Sequence, residues 1–186
     1  MSHSILRSGT GFARAGLVAA VLILFGPGAV AGQDEEWNRY TLEELEGVFV
    51  RAEASPACEE FGVSSTSLRD DANKTLEEAE VALLSEPEML AAPGLPDLRI
   101  TVECAEGPDN TVAYSVWLMM QQAARMVRDE QIQLSEAVTW YTTALGAAED
   151  DRAADEVGEA LVLKLGEFAE AFKAANSVEE ADPSSD

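Results

Sequence analysis

The side chains in this sequence that could do chemistry are two cysteines, Cys58 and Cys104, one histidine, His3, three lysines, Lys74, Lys164 and Lys173, and a crowd of 35 carboxylates. Most reactions open to these groups lack a second partner. Hydrolytic triads and Cys-His pairs need an imidazole as base, and the sole histidine sits at position 3, ahead of a segment that reads as a leader. A serine-lysine pair needs a desolvated amine. All three lysines fall on segments expected to be amphipathic helices, where a solvated charge is the ordinary state because burying an unpaired ammonium is costly. A glycosidase needs two carboxylates held across a cleft, one with a raised pKa, and nothing singles out two from the crowd. The acids Glu149, Asp150, Asp151, Asp155 and Glu156 lack the alternating oxygen ligands and central glycine of a calcium loop, and acids at a helix start answer to the helix dipole. No glycine-rich phosphate loop occurs. No catalytic residue, metal or cofactor is therefore expected.

The cysteines read as a Cys58–Cys104 disulfide, because an even count in an exported chain favours pairing. Two buried, unpaired thiols are the alternative. Zinc is a poorer reading still, since two cysteines without histidine make an incomplete ligand set.

Export is argued from the first residues. Arg7 and Arg14 precede the apolar run AGLVAAVLILF at 15–25, about the length of a signal-peptide core and far short of the roughly 20 residues that span a bilayer. Gly26-Pro27-Gly28 ends any helix, and Ala29-Val30-Ala31 supplies small residues where a signal peptidase reads. Residues 1–31 are thus expected to be a signal peptide cut between Ala31 and Gly32; an uncleaved N-terminal membrane anchor is the alternative. Losing the two arginines takes the net charge from −23 to −25, and cutting 31 of 186 residues leaves 155, enough for one domain. Such acidity disfavours nucleic acid and anionic lipid surfaces and would attract a basic protein partner; keeping the chain soluble is the plainer role.

The elements that must position these groups follow from periodicity. Residues 32–46 form a polar, acidic segment in which TLEELEG suggests a short helix stopped at Gly47. In GVFVRAEAS, Val48, Val50 and Ala52 alternate with Phe49, Arg51 and Glu53, the period of a half-buried strand. A helix is expected over 67–84, with Ser67 as N-cap and a stripe of Leu68, Ala72, Leu76, Ala79 and Leu83. Prolines 87, 93 and 96 then mark an extended connection holding a short edge strand at Met89-Leu90. LRITVEC is a second strand. TVAYSVWLMMQQAARMV and IQLSEAVTWYTTALG read as two long antiparallel strands joined near Arg128-Asp129-Glu130, with a helix over 116–127 as the competing reading. A final helix over 151–175 carries Val157, Leu161, Leu165, Phe168 and Phe172 on one stripe, and 177–186 is an acidic tail expected to be disordered. The order strand, helix, strand, strand, strand, helix predicts one α+β domain over 47–176: a two-layer sandwich, a mostly antiparallel sheet of three or four strands with two helices on one face.

GVFVRAE, LRITVE, AYSVWLMMQQAARMVRD, AVTWYTTALG and EFAEAFKAAN, with the pair Thr139-Trp140, resemble a group of small exported bacterial α+β domains over residues 40–176. The resemblance implies the fold. It implies no activity, and the cysteines lie outside its pattern.

As a strand, 112–120 sends Val112, Tyr114, Val116, Leu118 and Met120 to one face and Ser115, Trp117 and Met119 to the other. Only one face can meet the helices. The other would show Trp117 and Met119, joined by Trp140 or Tyr141 according to register, and this is the candidate partner-binding patch; ordinary core is the alternative. The function expected is that of a non-enzymatic domain of the periplasm or exterior that binds another protein, as an accessory subunit of an envelope complex. A carrier of a small hydrophobic ligand, with Tyr114, Trp117, Trp140 and Phe168 lining a pocket, is the second reading, and a carboxylate-dependent hydrolase the third.

Overall fold

The computed structural model describes residues 36–177; the expected leader, its cleavage point and residues 178–186 of the acidic tail lie outside the described residues. Four strands, β1 (Phe49–Ala54), β2 (Asp97–Glu106), β3 (Thr111–Met126) and β4 (Asp129–Glu149), form one sheet in sequence order. β1 and β2 are parallel, and the other pairs are antiparallel. A parallel pair needs a long crossover, and the chain between β1 and β2 supplies it with three helices. The helices are α1 (Glu36–Arg39), α2 (Pro56–Glu60), α3 (Ser65–Glu78), α4 (Glu86–Ala91) and α5 (Ala153–Asn176). α3 packs on β1 and on α5, and α5 packs on β3 and β4, so the long helices share one face of the sheet. This is the expected two-layer α+β sandwich.

The strand reading of 111–126 holds because its burial alternates. Val112, Val116, Leu118 and Met120 are buried, while Trp117 between them is 41% exposed. The α5 stripe of Val157, Leu161, Leu165 and Phe168 is fully buried in one core with Val116, Leu118 and Met120 and with Leu98, Ile100 and Val102 of β2. Leu68, Ala72 and Leu76 of α3 complete the same core. Cys58 of α2 and Cys104 of β2 form the disulfide, their Cα atoms 5.0 Å apart, which clamps the first turn of the crossover to the second strand.

Local details depart from the expectations for identifiable reasons. Ser64, not Ser67, caps α3: the Ser64 hydroxyl accepts from the Ser67 backbone N–H at 3.1 Å and Ser67 completes the capping box. That helix ends at Glu78 rather than Leu84, because Glu80 adopts φ 59° and the chain turns so that Leu83 bridges Val48. Met89-Leu90 is helix, not edge strand. Ser85 and Glu88 make a capping box around Pro87 in the first turn of α4, where a proline costs no hydrogen bond. The N-terminal segment is α1 and one 3-10 turn, Tyr40–Leu42, with Leu42 inserted into the core, instead of a helix over 41–46.

Candidate functional site

Pleating sends β-strand side chains alternately to the two faces, and α3 and α5 cover only one. On the other face the registers place four rows across the sheet. Phe49, Asp97, Gln121 and Val138 form the first, Arg51, Arg99, Met119 and Tyr141 the second, and Glu53, Thr101, Trp117 and Thr143 the third; Glu103, Ser115 and Leu145 begin the fourth. Trp117 and Tyr141 stack with ring centroids 6.4 Å apart. Met119 lies half-buried opposite Tyr141. Leu145, 67% exposed, and Val138, 48% exposed, extend the apolar part of the face along β4.

The β1 side of the face is polar and paired. Arg51 Nε donates to Asp97 Oδ2 at 3.0 Å and its guanidinium lies over the Phe49 ring at 5.2 Å. Arg99 stands 3.8 Å from the same carboxylate and 4.0 Å from Glu136. Asp97 is thus a buried anion held between two cations, and the arginine stems supply apolar cover between it and the aromatic pair.

Of the four residues proposed for the patch, the structure brings Trp117, Met119 and Tyr141 together and removes Trp140. Trp140 faces the helices, 1% exposed, its ring edge-on to Phe168 at 5.3 Å. Strand alternation requires the split, since consecutive residues of β4 cannot share a face. Tyr114, Trp140 and Phe168 belong to the helix side and Trp117 to the other, so the four residues imagined as a carrier pocket do not line one space.

The sequence reading missed Leu145 and Val138. Leu145 was accessible to it, since it has the parity of Tyr141. Val138 was not, because a β-bulge between the pairs Met120↔Trp140 and Gln121↔Val138 sets Thr139 aside and reverses the parity before it. Thr139 then accepts from Gln122 Nε2 at 2.8 Å, and the same amide donates to the Thr41 carbonyl at 2.7 Å, tying the N-terminal turn to the hairpin.

Lys164 is the second correction. Instead of a solvated charge it is buried at 6% exposure, its ammonium 2.8 Å from Glu167 Oε1, while Glu167 Oε2 accepts from the Thr142 hydroxyl at 2.7 Å. The ammonium is thus paired within α5, and the same carboxylate ties the helix to β4 through Thr142. Burial pushes the Tyr114 phenol up, with the charges of Glu156 and Glu159 adding to the effect. Tyr114 lies across Gly146, where an added Cβ would overlap the far end of the ring, so a larger residue at that position of β4 requires the ring to move.

Among the described residues no group of three or more His, Cys, Asp or Glu side chains is placed to hold a metal ion, the acids at the start of α5 included. None of their helices is long and apolar enough to cross a membrane. The disulfide fits an oxidising, extracytoplasmic location. Comparisons of the chain with family models, with curated proteins and with solved structures find no match.

Proposed function

We propose that the chain is a non-enzymatic domain of the bacterial periplasm or cell exterior that binds another protein through the uncovered face of its sheet, as an accessory subunit of an envelope complex. The observation that carries this reading is the stacked pair Trp117–Tyr141, set with Leu145 on a sheet face over which neither long helix packs. Large aromatic side chains on a rigid sheet give a partner apolar area at little entropic cost, and such residues are enriched at interfaces. The Arg51–Asp97–Arg99 cluster beside them supplies a polar margin.

The test is co-purification from the native envelope fraction with the wild-type chain and with Trp117→Ala and Leu145→Asp. A recurring partner retained by the wild type and lost from both variants, with their folds intact by circular dichroism, supports the reading. A partner held equally by all three places the interface elsewhere.

A further inference from the structure

β4 is the last strand of the sheet, and among the described residues no strand pairs with its outer side. An edge strand presents a row of unpaired N–H and C=O groups, and proteins ordinarily blunt it with charge, proline or a short length. β4 is 21 residues long and contains no proline, and its stretch 137–148, AVTWYTTALGAA, is twelve residues without a charge in a chain where one residue in four is charged. The register irregularities of its pairing with β3 all lie at or before Thr139, so 140–148 runs without interruption. The acids lie at the two ends: Asp129, Glu130 and Glu136 before the stretch, and Glu149, Asp150 and Asp151 after it, all exposed.

We infer that the outer edge of β4 accepts an extended segment of a partner protein as a fifth strand, and that this segment carries lysine or arginine at both ends of an uncharged, alternating core. Main-chain hydrogen bonds would supply affinity, and alternate side chains of the added strand would fall beside Tyr141 and Leu145 on the open face. Charge chooses between this occupant and a second copy. Two copies pairing edge to edge about a twofold axis run antiparallel, and aligning their uncharged stretches sets Glu136 of one opposite Glu149 of the other at both ends. Like charges directly opposite are destabilising, and the whole chain, at −23, already repels itself. A strand with basic ends turns the same acids into attraction. The inference rests on the protein-binding reading above and adds the partner's form and charge.

The probes are two synthetic peptides sharing an alternating valine-threonine core, one flanked by lysine pairs and one by glutamate pairs. Binding is followed by anisotropy and by amide hydrogen exchange of the full chain. The lysine-flanked peptide is expected to bind, to slow exchange within 141–147, and to weaken with added salt; the glutamate-flanked peptide is expected not to bind. The double variant Glu136→Lys, Glu149→Lys, altered only at exposed positions, should lower affinity for the lysine-flanked peptide by about tenfold. Equal binding of both peptides, unchanged exchange within 141–147, or a free protein that is already a dimer with that edge protected overturns the inference. Should Trp117→Ala abolish envelope capture while the peptide leaves the edge unprotected, docking on the open face stands and strand addition is rejected.

Discussion

Trp140 and Tyr141 are consecutive in β4 and their rings lie on opposite faces of the sheet, Trp140 against Phe168 in the core and Tyr141 against Trp117 on the uncovered side. One residue of register separates the part of the strand that holds the fold from the part available to a partner. Trp140→Ala should cost about 3–5 kcal/mol of stability, as deletion of a large buried aromatic does. Tyr141→Ala and Trp117→Ala remove partly exposed rings and should each cost about 1 kcal/mol or less, most of it the lost ring pair. Urea unfolding of the three variants decides, and comparable losses in all three would contradict the two-face description.

The disulfide closes a loop across a sequence separation of 46. In the chain-entropy view such a loop contributes about 4 kcal/mol at 25 °C by restricting the unfolded state. Cys58→Ala with Cys104→Ala should lower the urea midpoint accordingly, and reduction of the wild type should reproduce the shift. A midpoint insensitive to reductant would show that the crossover is held by packing alone.

Gly146→Ala places a methyl group against the Tyr114 ring, an overpacking expected to cost about 1–3 kcal/mol. Tyr114→Ala made in the same chain should relieve the clash, so the two substitutions together should destabilise by less than their sum. Strict additivity would mean that the ring does not lie across the glycine.

Tyr114 also sets a pH dependence. Its folded-state pKa is raised above the unfolded value near 10 by burial and by Glu156 and Glu159. The folded chain therefore holds the phenolic proton more tightly than the unfolded chain. The associated stability is fully present below about pH 10 and is lost as pH rises through the higher folded-state value. Thermal melting across the alkaline range should fall more steeply for the wild type than for Tyr114→Phe. Parallel curves would remove Tyr114 from the account.

Lys164→Met should be close to neutral or mildly stabilising, because a paired buried ammonium brings little net stability over an apolar residue of similar length. Glu167→Ala should be the more harmful change, leaving the amine buried without its carboxylate, though the partial exposure of Glu167 moderates the loss. Denaturation midpoints of the two variants give the order, and the reverse order would contradict the neutralised-pair description.

The legible parts of the fold were those governed by simple periods. Alternation separated Val112, Tyr114, Val116, Leu118 and Met120 from Ser115, Trp117 and Met119, and the 3.6-residue stripe of α5 assigned its core. The order of elements was enough for the two-layer architecture, and a pair of cysteines for the bridge. What stayed hidden depended on contacts distant in sequence. The Thr139 bulge needs Gln122 and Thr41 to fill it, so the face of Val138 could not be read locally. The burial of Lys164 is hidden in the sequence because it depends on the packing of α5 against the sheet, where Glu167, its i,i+3 partner, is itself held by Thr142 of another element. The helix at Met89-Leu90 is masked by the proline-rich composition of 87–96, although the Ser85–Glu88 capping pair beside Pro87 is what starts it. For the candidate patch, parity left Trp140 and Tyr141 as alternatives, and only the register of β3 against β4 separated them.

The central claim, that the uncovered sheet face docks another protein, is tested most directly by photo-cross-linking in intact cells. One variant carries a photoreactive side chain at Leu145 on that face, and a second carries it at Leu163 on the outer side of α5, a position of similar exposure, 62% against 67%. The account predicts one discrete adduct with a different protein from position 145 and none from 163. No adduct from 145, an adduct of two copies of this chain, or the same product from both positions would contradict it.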